Sequence, residues 1–264
     1  MLSLGSPASC WLAQPTGCRR SYIFCMKKTQ FRLLAIICIG SVVLCGILFD
    51  LPVFRFLRQP LKRRSERDVI AQYGANAKRR LQPHLTQAGF ADFPKQLALL
   101  AFKEEQIVEV WGKREQIWRR ITAYPFTAMS GTLGPKLREG DGQIPEGLYR
   151  IEILNPNSNY HLSLRVNYPN EFDRAMAERD GRTRLGGDIY LHGKNATVGC
   201  IPVGDPAIED LFALVYSAGL PQVRVIIAPR DFRKNPARPA LPDVAWERLL
   251  YDMIELALEP FNVS

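Results

Sequence analysis

The chain has 264 residues, 47% of them hydrophobic, which is enough for one sizeable domain plus an appendage. Its formal net charge of +9 is unevenly distributed. Residues 1–64 contain ten Lys or Arg and one acid, whereas residues 65–264 contain 25 residues of each sign. A nucleic-acid-binding domain would carry the basic excess itself, so this distribution argues against nucleic acid as a partner.

An uncharged run of seventeen residues, 33–49, lies within the basic appendage. As a helix it would reach roughly 25 Å, which is short for a membrane span and long for the core of a signal peptide. No small-residue cleavage site follows, so we interpret residues 33–54 as an uncleaved transmembrane anchor, in preference to a cleaved signal or a buried helix. Residues 1–32 are then a cytoplasmic segment, or a wrongly assigned N-terminal segment if translation begins at Met26. Basic residues flank the run on both sides, so charge does not define its orientation.

Residues 55–95 are predicted to form a basic tether and a helical linker. The basic cluster at residues 62–64 is more typical of a solvated stop beside the membrane than of a lipid-binding site. Ser65 and Asp68 form a capping pair for the linker helix. This helix is expected to end near Leu81, because Pro83 follows.

From Leu97 onward, short segments rich in β-branched and aromatic residues alternate with turns, which is typical of strands. Residues 134–147 contain too many Gly and Pro residues for regular structure, and we expect a long surface loop of the kind that often lines a site. The predicted strands are residues 97–102, 106–111, 117–124, 148–154, 162–166, 189–191 and 223–227.

Two helices are predicted in the second half of the chain. Asp205 is expected to cap a helix over residues 206–216, with Gly219 just past its end. A second helix, amphipathic over residues 243–258, is expected to pack against the sheet or the domain edge. It belongs to a C-terminal helical extension, residues 233–264.

The residues with the clearest chemistry are Cys200, the only cysteine after Cys45, and His192, eight positions before it. A single thiol in the folded part does not fit a disulfide or metal scaffold, and the pattern favours a cysteine nucleophile. A thiol of pKa about 8.5 is mostly protonated at neutral pH, so His192 is the candidate base. Gly199 leaves room for an acyl donor and frees backbone N–H groups for an oxyanion, and the carbonyl of Gly193 could orient the imidazole. The alternative is a buried structural cysteine and a core histidine.

Five further residues are candidates for substrate binding. Lys136 and Arg138 beside the Gly-rich loop could hold carboxylates, although loop solubility explains them equally well. Tyr160 and His161 could face a cleft or simply occupy a strand. Thr197 begins the loop that carries the thiol.

Asp188 could orient the imidazole, and a structural role explains it at least as well. The chain has three histidines and no clustered carboxylates, which argues against a zinc site. The sequence implies no cofactor.

Two runs, Asp188-Ile-Tyr-Leu-His-Gly193 and Thr197-Val-Gly-Cys-Ile201, resemble the active-site signature of the L,D-transpeptidase family with its YkuD-type catalytic domain. Two positions depart from that signature, because the family has a His where Val198 stands and an Arg or Asn where Pro202 stands. The resemblance covers roughly residues 97–229 and is carried by residues 130–136, 140–149, 155–164 and 168–173, the last two of which are closest to the YafK-like branch.

The resemblance implies a mainly β (α+β) fold. The expected catalytic domain, residues 96–232, is an L,D-transpeptidase-type β-sandwich or barrel-like structure with a few flanking helices, and the transmembrane helix precedes it. Also implied is a peptidoglycan-modifying enzyme in which the Cys200 thiolate forms a thioester at diaminopimelate of a stem peptide, for cross-linking or protein attachment. The alternatives are a hydrolase or amidase that releases lipoprotein or trims stem peptides, and a non-catalytic wall-binding protein.

The same resemblance implies the partners and the location of the protein. The partners are peptidoglycan stem peptides, wall-anchored lipoprotein and, through the N-terminal helix, the membrane. The catalytic domain is then expected on the periplasmic side of the inner membrane, because stem peptides are found there.

Overall fold

The structure is a computed structural model that describes residues 63–261 and, within the N-terminal part, Ser41. The predicted segments at residues 1–32 and 33–54, Ser41 apart, and the tether up to Lys62 lie outside the described residues. Among the helices of the described part, none is long and apolar enough to cross a membrane.

The described chain forms one hydrogen-bonded sheet of eight strands. The strands are β1 (Leu97–Phe102), β2 (Ile107–Arg114), β3 (Ile117–Pro125), β4 (Gly147–Asn155), β5 (Ser163–Val166), β6 (Tyr190–His192), β7 (Ile201–Pro202) and β8 (Val223–Ala228). Their order in the sheet is β3-β2-β1-β8-β4-β5-β6-β7, and neighbouring strands are antiparallel except for the parallel pairs β1–β8 and β6–β7.

Four α-helices accompany this sheet in residues 63–261: α1 (Glu66–Gln87), α2 (Glu171–Arg179), α3 (Asp205–Ala218) and α4 (Glu247–Leu258). A short 3₁₀ turn, Leu220–Gln222, leads into β8. The mainly β class with flanking helices is therefore confirmed. The seven predicted strands coincide with β1 to β6 and β8 to within three residues at each end, and β7 was not predicted.

Both faces of the central strands are covered, which explains why β1 is buried along its whole length. Successive side chains of a strand point to opposite faces. Leu97 and Leu99 therefore enter a first core with the apolar residues of α1 and α3, while Ala98 and Leu100 enter a second core with those of α4. The C-terminal helix thus packs on the sheet, which is one of the two expected positions; the other was the edge of the domain.

Helix α1 begins as predicted and ends later than predicted. Ser65 and Asp68 form a reciprocal capping box, which confirms the predicted start. Pro83 lies inside the helix, so the predicted end near Leu81 is wrong. Leu81 and Leu85 are both buried in the first core, and this packing holds the helix together across a residue that cannot donate a backbone hydrogen bond.

The starts of the other helices also differ from the predictions. Asp205 is the first residue of α3 and does not cap it; Gly204 occupies the N-cap position without a side-chain bond. The Asp205 carboxylate instead accepts a hydrogen bond from the backbone N–H of Lys194 at 2.9 Å, which ties α3 to the loop after β6. Helix α4 begins at Glu247, four residues later than predicted, because turns occupy residues 242–246.

The stretch from Gly134 to Glu146 is irregular, as predicted, but it is not simply a surface loop. Lys103 Nζ donates to the carbonyls of Gly134 and Ile144 at 2.7 and 3.0 Å and lies 2.9 Å from Glu146 Oε1. The Lys103 and Glu146 side chains are both fully buried. Glu146 also accepts from the backbone N–H of Gly134 and from the Tyr251 hydroxyl. A buried ion pair therefore fixes both ends of this loop to the sheet and to α4.

Candidate active site

The candidate site lies on the face of strands β5 to β7 that points away from the first core. Leu164, Leu191 and Ile201 are paired neighbours across these strands, and all three enter that core. Because side chains alternate along a strand, the residues on either side of them share the opposite face. This face carries Ser163 and Arg165 on β5, Tyr190 and His192 on β6, and Cys200 and Pro202 at β7.

The thiol and the imidazole share one cleft on this face. Cys200 stands directly before Ile201, the partner of Leu191, and therefore lies beside Tyr190, two residues before His192. The sheet register thus brings together the two residues that the sequence proposed as nucleophile and base. Their cleft has a volume of about 240 Å³ and is also lined by Asn155, Asn157, Ser158, Asn159, Tyr160, Ser163 and Tyr190.

The His192 ring is held from two sides. Its Nδ1–H donates to the carbonyl of Gly193 at 2.6 Å, which leaves the lone pair of a neutral ring on Nε2. The Tyr160 ring lies against it with centroids 4.5 Å apart. Burial lowers the pKa of His192, and the Gly193 carbonyl opposes this only in part. The imidazole is therefore neutral at neutral pH and can accept a proton at Nε2.

The Cys200 thiol is half-buried and donates to the backbone carbonyl of Asp188 at 3.5 Å. Burial raises the pKa of Cys200; the Asp188 carboxylate raises it further, whereas the Tyr190 backbone N–H and the Lys136 charge lower it. Within residues 63–261, no hydrogen bond joins the thiol to the His192 ring. The resting pair is thus a neutral thiol and a neutral imidazole, and not a thiolate–imidazolium ion pair.

This charge state predicts the pH dependence of Cys200 alkylation. The folded-state pKa of the thiol is raised, so the thiolate fraction should still be increasing at pH values above the ordinary thiol pKa of about 8.5. The rate of Cys200 alkylation by iodoacetamide is followed by mass spectrometry of its peptide as a function of pH. We expect the midpoint of this pH profile to lie at a higher pH in the folded protein than in the protein unfolded in urea. A midpoint below pH 7 would show a preformed ion pair and contradict this assignment.

The backbone around the thiol is fixed by two hydroxyls. Thr197 Oγ1 accepts from the N–H of Cys200 at 3.0 Å and donates to the carbonyl of Cys200 at 2.7 Å. Ser130 Oγ accepts from the N–H of Gly199 at 2.8 Å. Gly199 has a φ of +90°, and a Cβ there would lie 3.1 Å from the Gln143 carbonyl, so the position requires glycine.

These bonds change the expected role of the backbone N–H groups. The N–H groups of Gly199 and Cys200 were predicted to be free for an oxyanion, but both already have hydroxyl acceptors. Thr197, predicted to bind substrate, is hydrogen-bonded to the backbone of the nucleophile. Ser130 was not predicted as a site residue; its only sequence signal is its place at the start of the 130–136 stretch that carries the family resemblance.

The predicted carboxylate-binding residues lie in the loop between β3 and β4. Lys136 is buried, and its Nζ donates to Asp141 Oδ1 at 2.6 Å and to the carbonyl of Arg138 at 2.9 Å. The other oxygen of Asp141 accepts from the backbone N–H groups of Leu137 and Arg138. Lys136 therefore stabilises the loop itself and reaches the thiol only through its charge, while Arg138 is exposed and does not line the cleft.

Tyr160 and His161 are adjacent in sequence but face different surroundings. Tyr160 lines the cleft against His192, whereas His161 Nε2 lies 3.0 Å from Glu209 Oε1 of α3, and its ring packs edge-on against Tyr73 of α1. The structure thus places His161 behind the cleft wall, between two helices.

The cleft wall formed by residues 155–161 is also anchored to the start of the described chain. The backbone N–H of Arg64 donates to Asn157 Oδ1 at 2.9 Å, and its guanidinium donates to the carbonyls of Pro156 and His161 at 2.6 and 3.3 Å. Asn157 returns a bond from its side-chain amide to the carbonyl of Arg64. The residue that precedes the linker helix therefore helps to shape the candidate site.

The protein is thus a mainly β domain whose sheet presents a cysteine and a histidine on one face, the arrangement of a candidate cysteine-nucleophile enzyme. Residues 98–227 match the YkuD model, the L,D-transpeptidase catalytic domain. The chain is 31% identical over 175 residues to YafK of Escherichia coli (strain K12), whose assignment as an L,D-transpeptidase is provisional; the match covers 62% of this chain and 68% of YafK. The chain belongs to the L,D-transpeptidase family with a YkuD-type catalytic domain, whose members use a cysteine nucleophile, and its function is related to peptidoglycan.

Two solved structures are more distant. The helical cell shape determining protein Pgp2 from Campylobacter jejuni is 23% identical, with a TM-score of 0.44, and the match covers 52% of this chain and 48% of Pgp2. Bd1075 of Bdellovibrio bacteriovorus is 19% identical, with a TM-score of 0.39, covering 63% of this chain and 56% of Bd1075. The chain thus spans about half the length of these two proteins, and at this level of similarity neither informs its activity.

Proposed function

We propose that the protein is a peptidoglycan-modifying cysteine enzyme that forms a thioester between Cys200 and diaminopimelate of a stem peptide. The observation that carries this proposal is the shared cleft, in which the thiol lies beside an imidazole whose Nδ1 is committed to the Gly193 carbonyl. That bond leaves Nε2 as the only ring nitrogen able to accept the thiol proton.

The reaction begins from the neutral pair. As Cys200 Sγ attacks the diaminopimelate carbonyl, its proton passes to His192 Nε2, and a tetrahedral oxyanion forms. When the C–N bond breaks, the imidazolium returns that proton to the leaving amine. An amine or water then attacks the thioester, gives up a proton to His192 and releases Sγ, which takes the proton back. The first acceptor yields a cross-link or an attached protein, and the second a hydrolysed stem peptide.

The oxyanion needs donors, and the hydroxyls of Ser130 and Thr197 are both hydrogen-bonded to the Gly199–Cys200 backbone. Because Ser130 Oγ accepts from Gly199, its own proton is available to donate elsewhere. The Thr197 hydroxyl already donates its proton to the Cys200 carbonyl, so it would have to rotate before it could donate to the oxyanion. We therefore assign the larger share of oxyanion stabilisation to the Ser130 hydroxyl. The N–H of Gly199, which donates to that hydroxyl, strengthens it as a donor.

We place this chemistry on the periplasmic side of the inner membrane, where stem peptides are found, with residues 33–54 as the anchor. This placement follows from the proposed substrate and would be tested by cysteine labelling of intact cells with a membrane-impermeant maleimide.

The proposed reaction is tested by incubating the full-length protein with stem tetrapeptides and an amine acceptor and separating the products by liquid chromatography and mass spectrometry. We expect acceptor-linked peptide from the wild type and none from Cys200→Ala. Shortened peptides alone would identify a hydrolase. Unchanged substrate with a correctly folded protein would identify a wall-binding protein.

A further inference from the structure

The candidate site contains an arginine that the proposed chemistry does not use. Arg165 on β5 is paired with Tyr190 on β6, and Cys200 lies on the other side of Tyr190. The three residues therefore form a row across the sheet, with their side chains on one face. Since adjacent strands are about 4.8 Å apart, the backbones of Arg165 and Cys200 are separated by roughly 10 Å.

The guanidinium of Arg165 makes no hydrogen bond to any residue of the described chain. Its Nε is buried and has no partner. The nearest carboxylates are Asp188, 3.7 Å from Nη2, and Glu152, 3.9 Å from Nε, and both distances exceed a hydrogen bond. A buried donor without a hydrogen-bond partner is costly in a native protein, so Nε is an unsatisfied donor, although the side chain as a whole is 34% exposed and lies within ion-pair distance of both carboxylates.

Asp188 links this arginine to the thiol. It has a left-handed backbone, with φ of +55°, which is unusual for a residue with a side chain. In this conformation its carbonyl accepts the Cys200 thiol at 3.5 Å, while its carboxylate accepts from the Tyr190 hydroxyl at 3.2 Å. The carboxylate is 78% exposed, so a ligand can reach it.

We propose that Arg165 and Asp188 bind the two charges of an amino-acid terminus, the carboxylate on Arg165 and the ammonium on Asp188. The proposal rests on the proposed function, in which the free end of diaminopimelate carries both groups on the residue whose carbonyl meets Cys200. An arginine fork matches a carboxylate, and its binding would give the buried Nε the acceptor that it lacks. Arg165 and Asp188 are thus specificity-determining residues at the edge of the cleft, next to its lining residue Tyr190.

The test measures binding and not turnover, so that it does not depend on the thioester. In a Cys200→Ala background, the dissociation constants of two stem tetrapeptides are compared, one with the free diaminopimelate carboxylate and one with a carboxamide in its place. We expect the carboxylate peptide to bind at least about tenfold more tightly, the ratio for one charge-assisted hydrogen bond, and Arg165→Gln to remove this preference. Asp188→Asn, which keeps the backbone contact to the thiol, should remove the preference for a free over an acetylated amine.

Arg248→Gln is the matched control, because this arginine is 90% exposed on α4 and should leave both preferences unchanged. Equal binding of the two peptides to the parent protein, or a preference that survives in Arg165→Gln, would overturn the assignment. Failure of the proposed reaction would look different: the carboxylate preference would be present, and the wild type would form no thioester.

Discussion

Replacing His192 with alanine is expected to slow acylation of Cys200 by about 10²- to 10⁴-fold, the usual contribution of a general base. The resting thiol is protonated, because burial raises its pKa, and the neutral imidazole of His192 shares its cleft with Nε2 free to accept the proton. The measurement is the rate of thioester formation with a stem peptide or a carbapenem. The loss should be smaller at high pH, where hydroxide forms the thiolate directly.

The chain provides its own controls for this variant. His84 is exposed on α1, and His161 is bound to Glu209 behind the cleft wall, so alanine at either position leaves the base in place. We expect His84→Ala to acylate at the wild-type rate and His161→Ala to lose only a few-fold. An equal loss in all three variants would indicate a general effect of histidine removal on folding and contradict the role of His192.

Replacing Lys103 with methionine is expected to destabilise the domain by about 3–5 kcal/mol, the range for breaking a buried ion pair. The substitution would leave the fully buried Glu146 carboxylate without its counter-charge and the carbonyls of Gly134 and Ile144 without their donor. Urea denaturation of the full-length protein, followed by tryptophan fluorescence, measures the change in the free energy of unfolding.

Two further variants distinguish the cost of leaving the Glu146 charge unpaired in the interior from the cost of losing an ion pair at the surface. Adding Glu146→Gln to Lys103→Met should recover part of the loss, because the buried charge is then removed as well. Lys78→Met breaks the exposed pair between Lys78 and Asp92 and should cost at most about 1 kcal/mol. A Lys103→Met protein as stable as Lys78→Met would show that the loop is held by other contacts.

The sheet was largely predictable because its strands have strong local signals. Residues 97–102 are an unbroken apolar run, residues 223–228 contain four β-branched residues interrupted only by Arg224, and the structure pairs the two as neighbouring parallel strands inside the sheet. Helix α2 was missed although Asn170 and Asp173 carry a capping box that can be recognised in the sequence. The end of α1 was misjudged because the packing of Leu81 and Leu85 is tertiary, and local propensity cannot show it.

The candidate site was predictable only where spacing defines it. His192, Gly193, Gly199 and Cys200 were found because a short chain segment joins them. The hydroxyl of Ser130 reaches Gly199 from 69 residues earlier in the chain. The place of Arg165 beside Tyr190 depends on strand register. Neither contact follows from local sequence, since register is set by how whole strands pair.

The structure shows where the two residues that depart from the family signature, Val198 and Pro202, are placed. Val198, where the family has a histidine, is 80% exposed at the tip of the loop, so it contributes no polar group to the cleft. Pro202 is paired with His192 across β6 and β7. The site therefore relies on a single histidine, and its charge state depends on the Gly193 carbonyl and on burial.

The nucleophilic role of Cys200 is tested by the intact mass of the full-length protein after incubation with a carbapenem or a stem tetrapeptide at neutral pH. We predict a covalent adduct of one acyl group, mapped to Cys200 by peptide analysis, released by hydroxylamine as a thioester, and absent in Cys200→Ala. A folded wild-type protein whose mass does not change with either reagent would contradict the proposal that this thiol is a nucleophile.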